Sequence, residues 1–405
     1  MEVVSGDGLL LQWEGLGSGI VVYDRCQSER DLLLRRCQFG GFLGGGADLL
    51  QTDKVSKLKM VDFEGPFVTH GLDIYYSASS PNTVYIYAIN HLPNPAWPGD
   101  LLDLPPALHP ADPTPPKARS RVEIFKHEIG SGVATHLRSV WHAELRTPND
   151  ILAISEKEFY VTNDHYYREG FMRKMEDMNM PYTNKKTTTV FVTVDSLTVG
   201  DKKDDTTGVT AVVAIAGIHN NNGLGRGADD GEIIIGRAAA GVVTRLRKAV
   251  SHGHKLEVVD EIQLDSCIDN PFYFNDPYAK QTGRDASGYV LAGLGKAVKF
   301  PDPNEVDPVM IWLVRPTTPR TRSSGKIQAA RRVGKELKKR EGEEEGDGDG
   351  FVRRLIFQDN GKLIATASIG VLVAIDPEVN GGKKQAKLFL SGPFSKNAVV
   401  TIIDL

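Results

Sequence analysis

The chain has 405 residues, 40% of them hydrophobic, enough to bury a large core in one big all-β domain or two smaller ones. A formal net charge of -4 at pH 7 supplies no general attraction to nucleic acid or to an anionic membrane, so a small-molecule partner is expected. Three cysteines, Cys26, Cys37 and Cys267, exclude a disulfide framework and are expected to be unpaired thiols, one bridge between Cys26 and Cys37 being the alternative.

The N-terminus, Met1 to Asp7, lacks a basic region followed by an apolar run, and no stretch approaches about 18 uninterrupted apolar residues. As written, the chain carries no export signal and no clear membrane segment, and a cytoplasmic location is expected. Residues 1–65 form a region of irregular pattern. Its glycine clusters at 15–19 and 40–46 lack the strand and helix that frame a phosphate loop and are expected to be flexible turns.

From there, short β-rich runs recur at 84–90, 159–164, 233–236, 289–293 and 363–368, each closed by a turn residue. Their starts are separated by about 55 to 75 residues, too far for a strand pair and suited to a repeated multi-strand unit. Further strands are predicted at 121–126 and 189–194, and long amphipathic helices are scarce. The spacing predicts a β-propeller over 66–405, with about six blades if the N-terminal region supplies one; a sandwich with coincidental spacing is the alternative. Two insertions interrupt it. Residues 93–118 are crowded with proline, which favours an irregular surface excursion. Residues 320–350 place a basic block directly before an acidic one, and such a segment cannot pack a core. Phe171, Met172, Met175 and Met178 fall at helical spacing, as core or rim packing or as a lid over an apolar substrate.

The chemistry-bearing residues lie where strands meet turns: Thr147-Pro148-Asn149-Asp150, Thr162-Asn163-Asp164-His165, His219 to Gly223, and Cys267-Ile268-Asp269-Asn270-Pro271. Oxygen-bearing side chains gathered from distant segments suit a hard cation such as Ca²⁺, which takes six to eight oxygen ligands. Asn149, Asn222, Asp269 and Asn270 form the sharpest set, each beside a residue that turns the chain: Pro148, Gly223 or Pro271. Three amides and one carboxylate supply too little negative charge, so a further carboxylate is required. His70 and His91 flank neighbouring strands and would share a proton at one mouth of a central channel, suited to activating water. No GxSxG elbow is present, so a serine hydrolase of that architecture is not expected.

Together, Val68-Thr69-His70-Gly71-Leu72, Ala88-Ile89-Asn90-His91, Val122-Glu123-Ile124-Phe125-Lys126, Pro148-Asn149-Asp150-Ile151, the stretch 159–166, Asn222-Gly223 and Ile268-Asp269-Asn270 resemble the paraoxonase/arylesterase family. The resemblance covers about residues 66–300 and, more weakly, 305–405. It implies a six-bladed propeller with two calcium ions in a central tunnel. By the same resemblance, Asn149, Asn222, Asp269 and Asn270 are ligands of a catalytic calcium, and Asp150 and the backbone carbonyl of Leu72 are ligands of a structural one. His70 matches the general base, His91 its partner, and Asp164 and His165 a pair beside the tunnel. The family's adjacent Glu-Asp pair near the N-terminus has no counterpart; Ser28-Glu29-Arg30-Asp31-Leu32 is the nearest string.

The leading expectation is calcium-dependent hydrolysis of a small apolar lactone or aryl ester, the metal polarising the carbonyl and a histidine activating water. An inactive propeller that binds a ligand or protein is the alternative. A lactonase of the gluconolactonase type, with one metal and polar sugar lactones, is a third reading.

Overall fold

The computed structural model describes residues 53–97, 116–179, 185–250, 252–295, 307–317 and 349–405, apart from 78, 393, 394, 396 and 397, together with three short N-terminal strands. The N-terminal glycine clusters, the Glu29 to Asp31 string, Cys26 and Cys37, most of the proline-rich insertion and nearly all of the charged one lie outside these residues.

Four antiparallel blades and a three-stranded fifth follow one another in chain order. The first comprises β5 (Thr69–Tyr76), β6 (Thr83–Asn90), β7 (Arg121–Glu128) and β8 (Val133–Val140). The second is β9 (Pro148–Ala153), β10 (Glu158–Asn163), β11 (Thr187–Val194) and β12 (Val209–Ile218). The third is β13 (Asn221–Arg226), β14 (Glu232–Arg237), β15 (Val242–Ala249) and β16 (His252–Gln263). In the fourth, a broken inner strand, β17 (Cys267–Ile268) and β18 (Phe272–Phe274), pairs with β19 (Gly288–Leu294), followed by β20 (Val309–Pro316) and β21 (Phe351–Asp359). The fifth is β22 (Ile369–Ile375), β23 (Gln385–Ser391) and β24 (Val399–Asp404). The runs at 84–90, 159–164, 233–236 and 289–293 fall on the second strands β6, β10, β14 and β19, which are buried on both faces and therefore read as continuous apolar sequence.

Two expectations need correction. The described residues form five blades, not six: β1 (Glu2–Val4), β2 (Leu9–Trp13), β3 (Ile20–Arg25) and β4 (Asp53–Val61) pair in series, and β4 joins the outer strand β8 in parallel, so they extend the first blade. Residues 363–368 are not a strand. The Asp359 carboxylate accepts the backbone N–H groups of Gly361, Leu363 and Ile364, winding that stretch into a turn before β22.

Hydrophobic residues pack between successive blades. Ile89, Val122 and Ile124 of the first meet Ile151, Phe159 and Val161 of the second, and Val290, Ile311 and Leu313 of the fourth meet Val371, Leu388 and Leu390 of the fifth. The predicted helix is α1 (Gly170–Asn179), but Phe171 and Met178 are exposed; its buried residue is Glu176, whose carboxylate accepts the N–H groups of Tyr166 and Tyr167.

The inner strands approach closely because glycine stands where they touch. A Cβ on Gly71 would lie 2.5 Å from both the Asn149 carbonyl oxygen and the Asp150 Cα, and one on Gly223 would lie 2.5 Å from the Asn270 Cα. Gly71→Ala is therefore expected to destabilise the fold by roughly 1–3 kcal/mol through overpacking, whereas Gly200→Ala, with nothing near its Cβ, is expected to be nearly neutral; denaturant unfolding of the two variants checks this.

Candidate metal and proton-transfer site

Each inner strand of the first four blades carries one extra residue at the same level. In β5, Thr69 pairs with Asn90 and Leu72 with Ala88, so His70 and Gly71 together face Ile89. Asn149 and Asp150 likewise face Thr162, and Asn222 and Gly223 face Gly236. Between Ile268, opposite Gly293, and Phe272, opposite Val290, three residues of the inner strand span two of β19. A bulge of this kind bends a strand and re-aims a side chain. Here it does so at His70, Asn149, Asp150, Asn222, Asp269 and Asn270, all of them sequence candidates.

A continuous set of contacts links these segments. Gly71 lies against Asn149 and Asp150. The Asp150 carboxylate accepts the Leu224 N–H at 2.6 Å, and the Thr162 hydroxyl donates to the Asn222 carbonyl at 2.6 Å. Gly223 lies against Asp269 and Asn270, and the Asn270 N–H reaches the Ser368 carbonyl at 2.9 Å. The four sequence segments therefore converge. The three neighbouring asparagines play different parts. Asn220 takes a left-handed turn at φ 52° and its side chain caps the Ala239 N–H, Asn221 is buried against Thr189, and Asn222 stands at the bulge. Leu72 follows Gly71 in β5, with its side chain in the first blade's core.

Carboxylates crowd this level. Burial pushes Asp150 well up, its hydrogen bonds to Leu224 and Ile151 oppose that, and the charges of Asp269 and Asp73 add to it. Burial, then the charge of Asp164, raises Asp269 to about 7. Burial would raise Asp164 too, but His165, His70 and Arg173 outweigh it and hold it below the usual range. Asp164 also accepts from Asn149 Nδ2 at 3.4 Å. His165 lies between two carboxylates, Nδ1 2.9 Å from Asp164 and Nε2 3.0 Å from Asp177, in ion-pair range without hydrogen-bond alignment.

The two histidines meet. His70 Nδ1 is 3.2 Å from His91 Nε2, and His91 Nδ1 is 2.7 Å from the Ser120 hydroxyl. Asn90 fixes their backbones: its side chain accepts the Val68 N–H at 2.8 Å and donates to Glu123, while the His91 N–H donates to the Val68 carbonyl. His70 is solvent-accessible yet ringed by protein, and that crowding lowers its basicity against the pull of Asp164. Burial, with His70 and Arg168, lowers His91 to about 4. Ser120, Arg168, Asp73 and Arg226 were not singled out in the sequence, where an isolated serine, aspartate or arginine carries no motif. Arg226 donates to both oxygens of the buried Asp73 and to the Ala153 carbonyl, clamping β5, β9 and β13 together.

The arylesterase family model matches residues 114–279. Over these residues the chain is similar to the paraoxonase/arylesterase family. Serum paraoxonase/arylesterase 2 of Homo sapiens is 25% identical over 205 residues, which are 50% of this chain and 45% of that protein. Serum paraoxonase/arylesterase 2 of Bos taurus is 30% identical over 119 residues, 29% of this chain and 26% of that protein. The chain thus spans less than half the length of these curated relatives. Among solved structures, the periplasmic gluconolactonase of Pseudomonas aeruginosa aligns at a TM-score of 0.40 with 12% identity, over 100% of this chain and 96% of that one.

The donor set fits a hard cation in kind. Asn149, Asn222 and Asn270 offer amide oxygens, Asp150 and Asp269 carboxylates that burial and neighbouring acidic charge disfavour, and Leu72 a backbone carbonyl. Among the described residues no three His, Cys, Asp or Glu side chains gather closely enough to hold an ion alone, so amides and carbonyls would have to complete the shell. With its carboxyl near 7 in the folded chain and near 3.8 in the unfolded one, Asp269 keeps its proton on folding between these values, so its contribution to stability falls as pH rises through that window. In calcium-free buffer, Asp269→Asn is expected to gain stability relative to the parent chain from pH 4 to pH 8. A stability difference independent of pH in thermal unfolding would count against the assignment.

Proposed function

We propose that the chain is a calcium-dependent hydrolase of lactones or aryl esters. The observation that supports this most is the meeting of the His70–His91 pair with the convergent Asn and Asp residues at one level of the inner strands. Similarity to the arylesterase family over residues 114–279 supports the same reaction class.

Asn149, Asn222, Asp269 and Asn270 would hold a catalytic ion, and Asp150 with the Leu72 carbonyl a second. When bound, calcium supplies a Lewis acid for the substrate carbonyl and for the oxyanion that develops on it. His70 takes the proton of the attacking water at Nε2, the ring nitrogen not facing His91. Its lowered basicity keeps it unprotonated at neutral pH, and the nearby Asp164 carboxylate stabilises the imidazolium that forms. His91 holds the His70 ring through Nδ1 and fixes its orientation. Asp164 fixes Asn149 in the same way, accepting from its amide nitrogen and so leaving the amide oxygen for the ion.

Hydrolysis of a panel of lactones and phenyl esters with and without a calcium chelator tests this reading. Activity is expected to disappear on chelation and return with calcium, and His70→Gln is expected to lower kcat by roughly 10²- to 10⁴-fold. Full activity in chelator would overturn the proposal. Asp164→Asn is expected to weaken calcium binding or activity by about 10- to 100-fold, read by calorimetric titration.

A further inference from the structure

We propose that Arg168 is a positioning residue for the histidine pair, acting through Ser120. The Ser120 hydroxyl lies on a fully buried residue and touches two side chains, His91 Nδ1 at 2.7 Å and Arg168 Nη1 at 2.9 Å. A guanidinium only donates, so Arg168 always occupies an acceptor position of that oxygen. The hydroxyl is thereby fixed in place and turned with its remaining capacity toward His91. An imidazole held at Nδ1 presents Nε2 in one direction, and here that direction is Nδ1 of His70, 3.2 Å away.

Arg168 is itself held from the other side. Its Nη2 donates to the Leu145 carbonyl at 3.5 Å, and its own carbonyl accepts from Arg173 of α1 at 3.4 Å. The chain Arg168, Ser120, His91, His70 therefore connects the segment that leads into α1 with the ring proposed to take the water proton. Ser120 belongs to the first blade's approach to β7 and Arg168 to the loop after β10, so the orientation of the pair depends on the docking of two blades.

This inference rests on the reading of His70 and His91 as the proton-transferring pair, and its test has one arm that does not need activity. In steady-state kinetics on the best ester or lactone substrate, Ser120→Ala and Arg168→Met are each expected to lower kcat about tenfold with KM changed less than about twofold, the size of one lost charge-assisted hydrogen bond. The double variant is expected to be no slower than the slower single one, and Arg168→Lys, which still donates, to recover part of the rate. In ring-nitrogen NMR of the calcium-loaded protein, His91 is expected to show one tautomer in the parent chain and averaged signals in Arg168→Met. Losses that multiply to about a hundredfold in the double variant, a change confined to KM, or His91 signals indifferent to Arg168 would each overturn the proposal. If no substrate is hydrolysed, the proposed reaction fails and the NMR arm alone decides the positioning role.

Discussion

The extra residue in each of four inner strands is the constraint on which the rest of this structure depends. A regular strand sends successive side chains to opposite faces, and both faces of these strands are already committed to packing between blades. Inserting one residue at the same level in neighbouring blades frees a side chain from that alternation without moving the strands on either side. His70, Asn149, Asn222 and the stretch 269–271 are the residues so freed. The cost is lost ladder bonding, and it is met locally: Thr162 donates to the Asn222 carbonyl, and the Asp150 carboxylate accepts both the Ile151 and Leu224 N–H groups.

Those local bonds explain why the candidate residues come as polar pairs. In the second and third blades one residue of such a pair lends itself to the backbone or the neighbouring sheet while its neighbour remains for chemistry. Asp150 is engaged with two N–H groups, whereas the Asn149 side chain makes a long contact to Asp164. Asn221 is tied to Thr187 and Thr189 in the next sheet, whereas the Asn222 side chain is left at the bulge. Glycine is needed on the facing strand for the same reason: Gly71 and Gly223 admit backbone from the next blade at distances that no Cβ tolerates.

Much of this was legible in the sequence, and what was not has physical causes. The second strands of four blades read clearly because burial on both faces leaves an unbroken apolar run. The inner strands read poorly, since bulges and polar residues make 148–153 and 221–226 look like turns, and the site was found through that very appearance. The run at 363–368 misled because apolar alternation is shared by a buried turn, and nothing local reveals that the Asp359 carboxylate will gather three N–H groups. Among the described residues the blades number five where six were expected, because pairing partners are not written in the strands: β4 meets β8 in parallel across more than seventy residues. Ser120 and Arg168 carried no signal at all, since their meaning lies in a contact between residues 48 apart.

The remaining electrostatic problem bears on how the centre holds together. Asp150 and Asp269 are both disfavoured as anions, by burial and by neighbouring carboxylates, and the Asp73 charge reaches Asp150 as well. Asp73 is neutralised by Arg226, and Asp164 faces His165 and the charge of Arg173. No comparable cation faces Asp269 among the described residues. A fold that places positive partners on Asp73 and Asp164 but not on Asp269 leaves that carboxylate without a cation at the level where the asparagine-bearing segments meet. Burying such a carboxylate without a partner carries a desolvation cost that a divalent cation offsets. The asymmetry, more than the number of acidic groups, is what supports the proposed ion there over a plain polar core.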